Sequence, residues 1–485
     1  AMSATAAMLT NTRAGRLSGI ISGHPGLNYP HYVCPPMNQL PWMRAAVESL
    51  AQWDAHTALA AAVRADGLTR TLVCGMGGSS LVADVLAETF GVRSLHVLDS
   101  TNPAAVRGAG DESDLARTAF VISSKSGNTV ETLAFCHYFM ARARAEQFIA
   151  ITETGSELDR IARRRGFRAI IPHPPGIGGR YAALTAIGMV PAALSGLDGR
   201  TLLERTRAVD VAAAQAMGLG VADRALAGRD KLCLTPPPRI GALADWIEQL
   251  IAESSGKDGR GVVPIVQDPA RGALPDSQTA GPDLFSADPL DLASEFLRWE
   301  YATAALCERL GVNAFDQPDV EEAKQLARAE LMGGDGRAGA GHAVVGAQRA
   351  APLPTLTPAE LRQQFRRGDY FAILAYVPPT PDVLAELQGL RADWGRALGC
   401  ATTLGIGPRY LHSTGQLHKG GPPTGLFLVI TTDNDRDLDI PEMEWTFGEL
   451  HRAQARGDVR ALLARGRRVA HVHLSSTAEL SELMP

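Results

Sequence analysis

Ten short, almost wholly apolar runs separated by helical stretches constrain this 485-residue chain more than any other feature. Five lie early, at 71–74, 95–98, 120–122, 148–151 and 169–171. Five lie later, at 232–234, 262–265, 371–374, 426–430 and 469–472. A strand without a polar side is buried on both faces, and strands alternating with helices pair in parallel. Each series therefore predicts a mainly parallel sheet flanked by helices, in an α/β protein with two domains of one type. The length agrees with two or three domains. We divide the chain into an N-terminal segment 1–40, a first domain 41–200, and a second domain in two parts, 201–332 and 353–485. The Gly/Ala-rich stretch 333–352 has no periodicity and reads as a flexible connection. Residues 267–283, rich in Pro, Asp and Gly, read as a loop. Apolar spacing predicts helices over 42–66, 288–310 and 318–332. No internal sequence repeat stands out, although the two series suggest structural echoes.

Charge and apolar patterning narrow the function. A net charge of −5 argues against nucleic-acid binding, which needs a basic surface. Apolar runs stay under ten residues, too short for a membrane span. The start lacks the charged-then-apolar layout of a signal peptide. Six cysteines (34, 74, 136, 233, 307, 400) show neither a CxxC pair nor a metal-binding spacing, so the expectation is a reduced, cytoplasmic protein without structural disulfides or metal. Of 47 basic residues only five are Lys, at 125, 231, 257, 324 and 419. Ammonium and guanidinium are not equivalent donors, so a Lys surviving such a bias is a candidate for chemistry. Four of the five fall in the motifs below.

Two loops follow early strands and open helices. Gly75-Met-Gly-Gly-Ser-Ser80 lets backbone approach an anion at a helix start. Its spacing is not that of a dinucleotide fingerprint, and it is equally compatible with structural packing. Ser123-Ser-Lys-Ser-Gly-Asn-Thr-Val-Glu-Thr132 gathers hydroxyls, N–H groups and one cation at a helix start. A helix cap needs one hydroxyl; a phosphate monoester needs many donors and a favourable dipole. Both loops leave the carboxyl ends of parallel strands, where such sheets bind ligands.

These loops resemble the sugar-isomerase domain of the phosphoglucose isomerase family. The resemblance continues through Gly178-Gly-Arg-Tyr181, Glu248-Gln-Leu-Ile-Ala-Glu-Ser-Ser-Gly-Lys257, Asn313-Ala-Phe-Asp-Gln317 with Lys324, and His412-Ser-Thr-Gly-Gln-Leu-His418. It covers about 40–475. It is closest to the isomerase half of fused transaldolase–phosphoglucose isomerases, which share Phe315-Asp-Gln-Pro318 and His418-Lys-Gly-Gly421.

The resemblance implies two sugar-isomerase domains and an aldose–ketose isomerase that uses neither metal nor cofactor. Its substrate would be a small sugar phosphate, by default glucose 6-phosphate and fructose 6-phosphate. Glu253 matches the base that relays a proton between C1 and C2, and Arg180 the cation for the developing enediolate. His412 matches the ring-opening histidine and Lys324 the lysine that assists it. Gln249 and Gln317 match positions that hold hydroxyls or waters. Gly78, Ser79, Ser124, Lys125, Ser126, Thr129 and Thr132 match the phosphate cradle. His418 and Lys419 either support His412 or stabilise their own loop, while the alternating His471 and His473 read as structural. The family is commonly dimeric, so a homodimer is an expectation.

Three departures matter. The His412 segment follows the Phe315-Asp-Gln317 segment, as in the fused enzymes; in single-function members it precedes it. Ala182 stands where the family often has Ser. No transaldolase-like half is present, so a separate isomerase and one half of a fusion both stay open. Two alternatives accompany the default: the same chemistry on a longer or amino sugar phosphate, and a sugar-phosphate-sensing module without turnover.

Overall fold

The computed structural model describes residues 40–110, 112–266, 274–331, 353–433 and 436–485, without the side chains of 112–113 and 320–324. The connection expected at 333–352, and all but residue 40 of the N-terminal segment, lie outside them.

The five early runs all form strands: β1 Arg70–Cys74, β2 Leu95–Leu98, β3 Thr118–Ser123, β4 Phe148–Thr152 and β5 Ala169–Pro172. Every pair is parallel, in the order β2-β1-β3-β4-β5. This order reverses direction between β1 and β3, and open sheets of this kind bind ligands in the crevice at such a reversal. The two motif loops leave those two strands. Phe120, wholly buried on β3, stacks on Phe139 and Phe148 with ring centroids 5.0 and 4.8 Å away. Such stacking fixes the sheet against the helix Val130–Met140, which carries part of the second loop.

The later runs also form strands: β6 Lys231–Leu234, β7 Val263–Val266, β9 Tyr370–Tyr376, β11 Gly425–Thr432 and β12 Arg468–Leu474. Two further strands, β8 Ser277–Ala280 and β10 Ala401–Ile406, were not visible as apolar runs. The expected loop 267–283 is corrected at β8, whose polar Ser277 and Gln278 are nevertheless buried. The expected single sheet is also corrected. It consists of two parallel hydrogen-bonded pieces, β7-β6-β8 and β10-β9-β11-β12. Arg391 joins them where the ladder lapses: Nε donates to Thr402 Oγ1 on β10 at 3.2 Å and Nη2 to the Val266 carbonyl on β7 at 2.9 Å. The four-stranded piece repeats the order of the first four strands of the early sheet, the echo suggested above.

The helices fall at Ala45–Ala65, Leu292–Leu310 and Pro318–Leu331, and short 3-10 turns precede the first two. No helix among the described residues is long and apolar enough to cross a membrane.

One core residue makes a prediction. Glu300, in the helix Leu292–Leu310, is wholly buried, and neither carboxyl oxygen has a hydrogen-bond partner among the described residues. Burial pushes its carboxyl well above the ordinary value of 4.5. The folded chain thus keeps a proton that the unfolded chain releases above that value. Stability contributed by this group is present in acid and lost as pH rises toward the folded value, by up to about 1.4 kcal/mol per pH unit. Glu300→Gln keeps the shape without the titration, so thermal melts across pH should show a flatter decline above pH 4.5 than wild type. An unchanged decline would exclude Glu300 as its source.

Candidate active site

The site begins with two glycines. Gly77 has φ of +54°, and a Cβ there would lie 2.5 Å from the His412 carbonyl oxygen. A Cβ on Gly78 would lie 2.2 Å from the carbonyl of Gly179. Only bare backbone allows the Gly75–Ser80 loop to press against both segments. Ser79 and Ser80 are buried beside them, and Ser80 Oγ donates to the Gly77 carbonyl at 3.1 Å.

The second loop leaves β3 at Ser123. Ser124 Oγ lies 3.0 Å from Thr129 Oγ1 and accepts the Gly127 N–H at 3.1 Å. Ser126 Oγ accepts the Asn128 N–H at 3.3 Å. Thr129 sits at the N-cap of Val130–Met140 but its hydroxyl makes no cap. The hydroxyl pairs with Ser124 instead, leaving this helix start uncapped by its usual residue. The hydroxyls of Ser123 and Thr132 are buried with no hydrogen-bond partner among the described residues. Unpaired buried donors are costly unless something fills them, and an anion at a helix start would. Lys125, half-exposed, lies 3.7 Å from Glu153.

Glu253 lies in the last turn of the helix Leu243–Ser255. Its Oε1 is 2.9 Å from Arg180 Nη1, and its Oε2 accepts from Gln249 Nε2 at 3.1 Å, one helical turn back. Gln249 Nε2 also donates to the His412 carbonyl at 2.7 Å. Arg180 is fully buried. Its Nε donates to Ser254 Oγ at 2.8 Å, Nη1 to Gln317 Oε1 at 3.1 Å, and Nη2 to the carbonyls of Ala314 and Asp316 at 2.6 and 3.0 Å. A rigid guanidinium with its donors so placed holds the carboxylate at one orientation. The same contacts tie in the Asn313–Gln317 segment, which Lys257 also holds by an ion pair to Asp316 at 2.9 Å.

His412 closes the 3-10 turn Arg409–His412. Arg409 anchors the turn to Asp84 at 2.8 Å and Asp99 at 3.3 Å, which follow β1 and β2. His412 Nε2 is 2.9 Å from Glu131 Oε1. Glu131 was missed as a site residue although the second motif contains it. An acid in the first turn of a helix is ordinary dipole chemistry, and its pairing with a histidine 281 positions away leaves no local signal. Glu131 itself is buried.

The structure thus brings together the glycine loop, the hydroxyl loop, Arg180, Gln249, Glu253, Gln317 and His412. Lys324 lies on the helix Pro318–Leu331, with its side chain outside the described residues. His418 and Lys419 do not touch His412. His418 Nδ1 pairs with the Tyr370 hydroxyl at 3.0 Å, and burial beside Lys419 holds its ring far below the ordinary histidine value, hence neutral. Lys419 pairs with Asp458, which also accepts from Tyr410, two residues before His412. Lys419 thus braces the His412 turn through Asp458 and Tyr410. His471 and His473 both pair with Thr431 at 3.0 Å, on the strand edge rather than at the site.

Chemically, the arrangement sets a hydroxyl-rich helix start, a carboxylate fixed by Arg180 and Gln249, and a histidine–carboxylate pair close together. No protein-family model matches the chain. It is 32% identical over 310 residues to a protein named "Probable glucose-6-phosphate isomerase" from Haloarcula marismortui, covering 60% of this chain and 67% of that protein. It is 32% identical over 246 residues to a glucose-6-phosphate isomerase from Citrifermentans bemidjiense, covering 45% of this chain and 46% of that one. A solved glucose-6-phosphate isomerase structure from Chlamydia trachomatis aligns with a TM-score of 0.49 at 17% identity, over 63% of this chain and 76% of that one. The chain thus spans between about half and two-thirds of the length of these two sequence relatives.

Proposed function

Because the chain belongs to the phosphoglucose isomerase family, we propose that it interconverts an aldose and a ketose phosphate, with glucose 6-phosphate and fructose 6-phosphate as its pair. The observation that carries this reading is the carboxylate of Glu253, held by Arg180 at 2.9 Å and by Gln249 at 3.1 Å, within one backbone contact of His412. A base fixed in this way needs no reorganisation when it receives a proton.

The phosphate sits among Ser79, Ser124, Ser126, Thr129 and Thr132, and its binding energy positions the sugar. His412 gives a proton to the ring oxygen as the bond from C1 to that oxygen breaks. The anomeric hydroxyl loses its proton, with Lys324 as the assisting group the family match implies. Glu253 then takes a proton from C2 and returns it to C1 through an enediolate, with Arg180 beside the developing charge. Gln249 and Gln317 hold hydroxyls. These steps use protein side chains alone.

A coupled assay over a panel of hexose, heptose and amino sugar phosphates tests the reading. Glucose 6-phosphate should turn over fastest; no turnover on any phosphorylated aldose would overturn it. A further expectation concerns the cradle. Ser124→Asp places a carboxylate where a dianion binds, so KM should rise at least about tenfold, or about 1.4 kcal/mol of binding. An unchanged KM would place the phosphate elsewhere.

A further inference from the structure

His412 is held by Glu131, but Glu131 is itself held. Gln454, on the helix Phe447–Ala464, donates from Nε2 to Glu131 Oε1 at 2.7 Å. On the other side of the amide, Thr101 Oγ1 donates to Gln454 Oε1 at 2.7 Å. Thr101 Oγ1 also lies 3.1 Å from His451 Nδ1. Glu131, Gln454, Thr101 and His451 are all buried.

The direction of this chain follows from which atoms can donate. A carboxylate only accepts, so the amide nitrogen must face Glu131 and the amide oxygen must face Thr101. Thr101 has one proton and gives it to that oxygen. His451 Nδ1 must then carry its own proton and donate to Thr101. Every polar atom between His451 and Glu131 therefore has one assigned role. The segments joined are far apart in sequence: Thr101 follows β2, Glu131 starts a helix after β3, and Gln454 and His451 share one face of a C-terminal helix.

We propose that Gln454 is a positioning residue for the isomerase reaction: its amide, oriented by Thr101, fixes the Glu131 carboxylate, which holds His412 by its Nε2–H and so aims the proton carried on Nδ1 at the sugar ring oxygen. This inference rests on the isomerase reading for its catalytic consequence, but not for its geometry. Without the Gln454 donor, Glu131 Oε1 loses one of its contacts. The His412 ring is then less firmly oriented, and its Nδ1 proton no longer points at the ring oxygen. The consequence falls on ring opening and spares the grip on phosphate.

The test uses the full chain with Gln454→Leu, and Thr101→Val as a second variant that keeps Gln454 but releases its amide. With glucose 6-phosphate, Gln454→Leu should lower kcat about ten- to hundredfold, the scale of losing an outer partner of a functional histidine, with KM within about twofold. The Kd for an open-chain five-carbon hydroxamate phosphate, which mimics the enediolate and needs no ring opening, should stay unchanged. Nitrogen-15-edited proton NMR of the His412 ring should show an Nε2–H signal shifted downfield by the Glu131 carboxylate in wild type and moved upfield in Gln454→Leu. Thr101→Val should move both readouts in the same direction by less. If kcat and hydroxamate affinity fall together, Gln454 is merely structural and the proposal is overturned. If the Nε2–H signal is unchanged in both variants, the proposal is overturned as well. If wild type isomerises nothing, the catalytic reading fails, and the Nε2–H comparison alone decides whether Gln454 sets His412.

Discussion

Replacing Glu253 with Gln is expected to lower kcat by about 10²- to 10⁴-fold, the range a positioned base supplies. The expectation comes from geometry. The carboxylate is held on one oxygen by Arg180 and on the other by Gln249, so it has one orientation and one task. Gln is isosteric, and its carbonyl still accepts from Arg180. Affinity for a sugar phosphate should therefore change little, since the phosphate contacts lie in the two loops. The loss of a charged partner for a buried guanidinium should destabilise the fold by about 1–3 kcal/mol. Steady-state kinetics and isothermal calorimetry with a non-reacting sugar-acid phosphate check both parts. Retained turnover would remove Glu253 from the mechanism. Lost binding would mean that the carboxylate organises the cradle rather than the chemistry.

The second large effect is at Arg180. This buried side chain donates to Glu253, Ser254, Gln317 and two carbonyls of the 313–317 segment. Arg180→Met keeps the apolar stem but removes every donor. Glu253 is left as a nearly buried carboxylate with its cationic partner gone, and two backbone carbonyls lose their partners. Breaking a buried pair from one side costs about 3–5 kcal/mol. Urea unfolding should register a loss of that size, together with near-complete loss of turnover. A stability change under about 1 kcal/mol would mean that the 313–317 segment is held by other contacts, Lys257 foremost. Reduced stability with normal turnover would separate Arg180 from the reaction altogether.

Much of this was legible in the sequence because the informative positions are local. Strands buried on both faces betray themselves as apolar runs, and all ten runs became strands. The two loops were readable because glycine at close approaches and hydroxyls at a helix start are chemical requirements. Gly78 facing Gly179 and the unpaired hydroxyls of Ser123 and Thr132 are those requirements seen in space. What stayed hidden is non-local or polar. Strand β10 contains Thr402 and Thr403, both buried; Thr402 accepts from Arg391, while the Thr403 hydroxyl has no hydrogen-bond partner among the described residues, so polarity there does not mean exposure. Strand β8 is likewise too polar to be seen as an apolar run. Glu131 and Gln454 are distant in sequence from His412 and look like ordinary helix residues. The order of segments, with His412 after Phe315-Asp-Gln317, also made its route into the site unreadable. The structure supplies that route: Arg409 ties the turn to Asp84 and Asp99, so the histidine returns to the β1–β5 sheet of its own chain.

Everything catalytic in this account depends on one hydrogen moving between neighbouring carbons under the control of one carboxylate. The most direct measurement follows deuterium in glucose 6-phosphate labelled at C2, by proton NMR in ordinary water. Wild type should deliver part of the label to C1 of fructose 6-phosphate and release the rest to solvent, and Glu253→Gln should do neither. Loss of label from C2 at an undiminished rate in Glu253→Gln, or product formed by wild type with the C2 label untouched, would contradict the account.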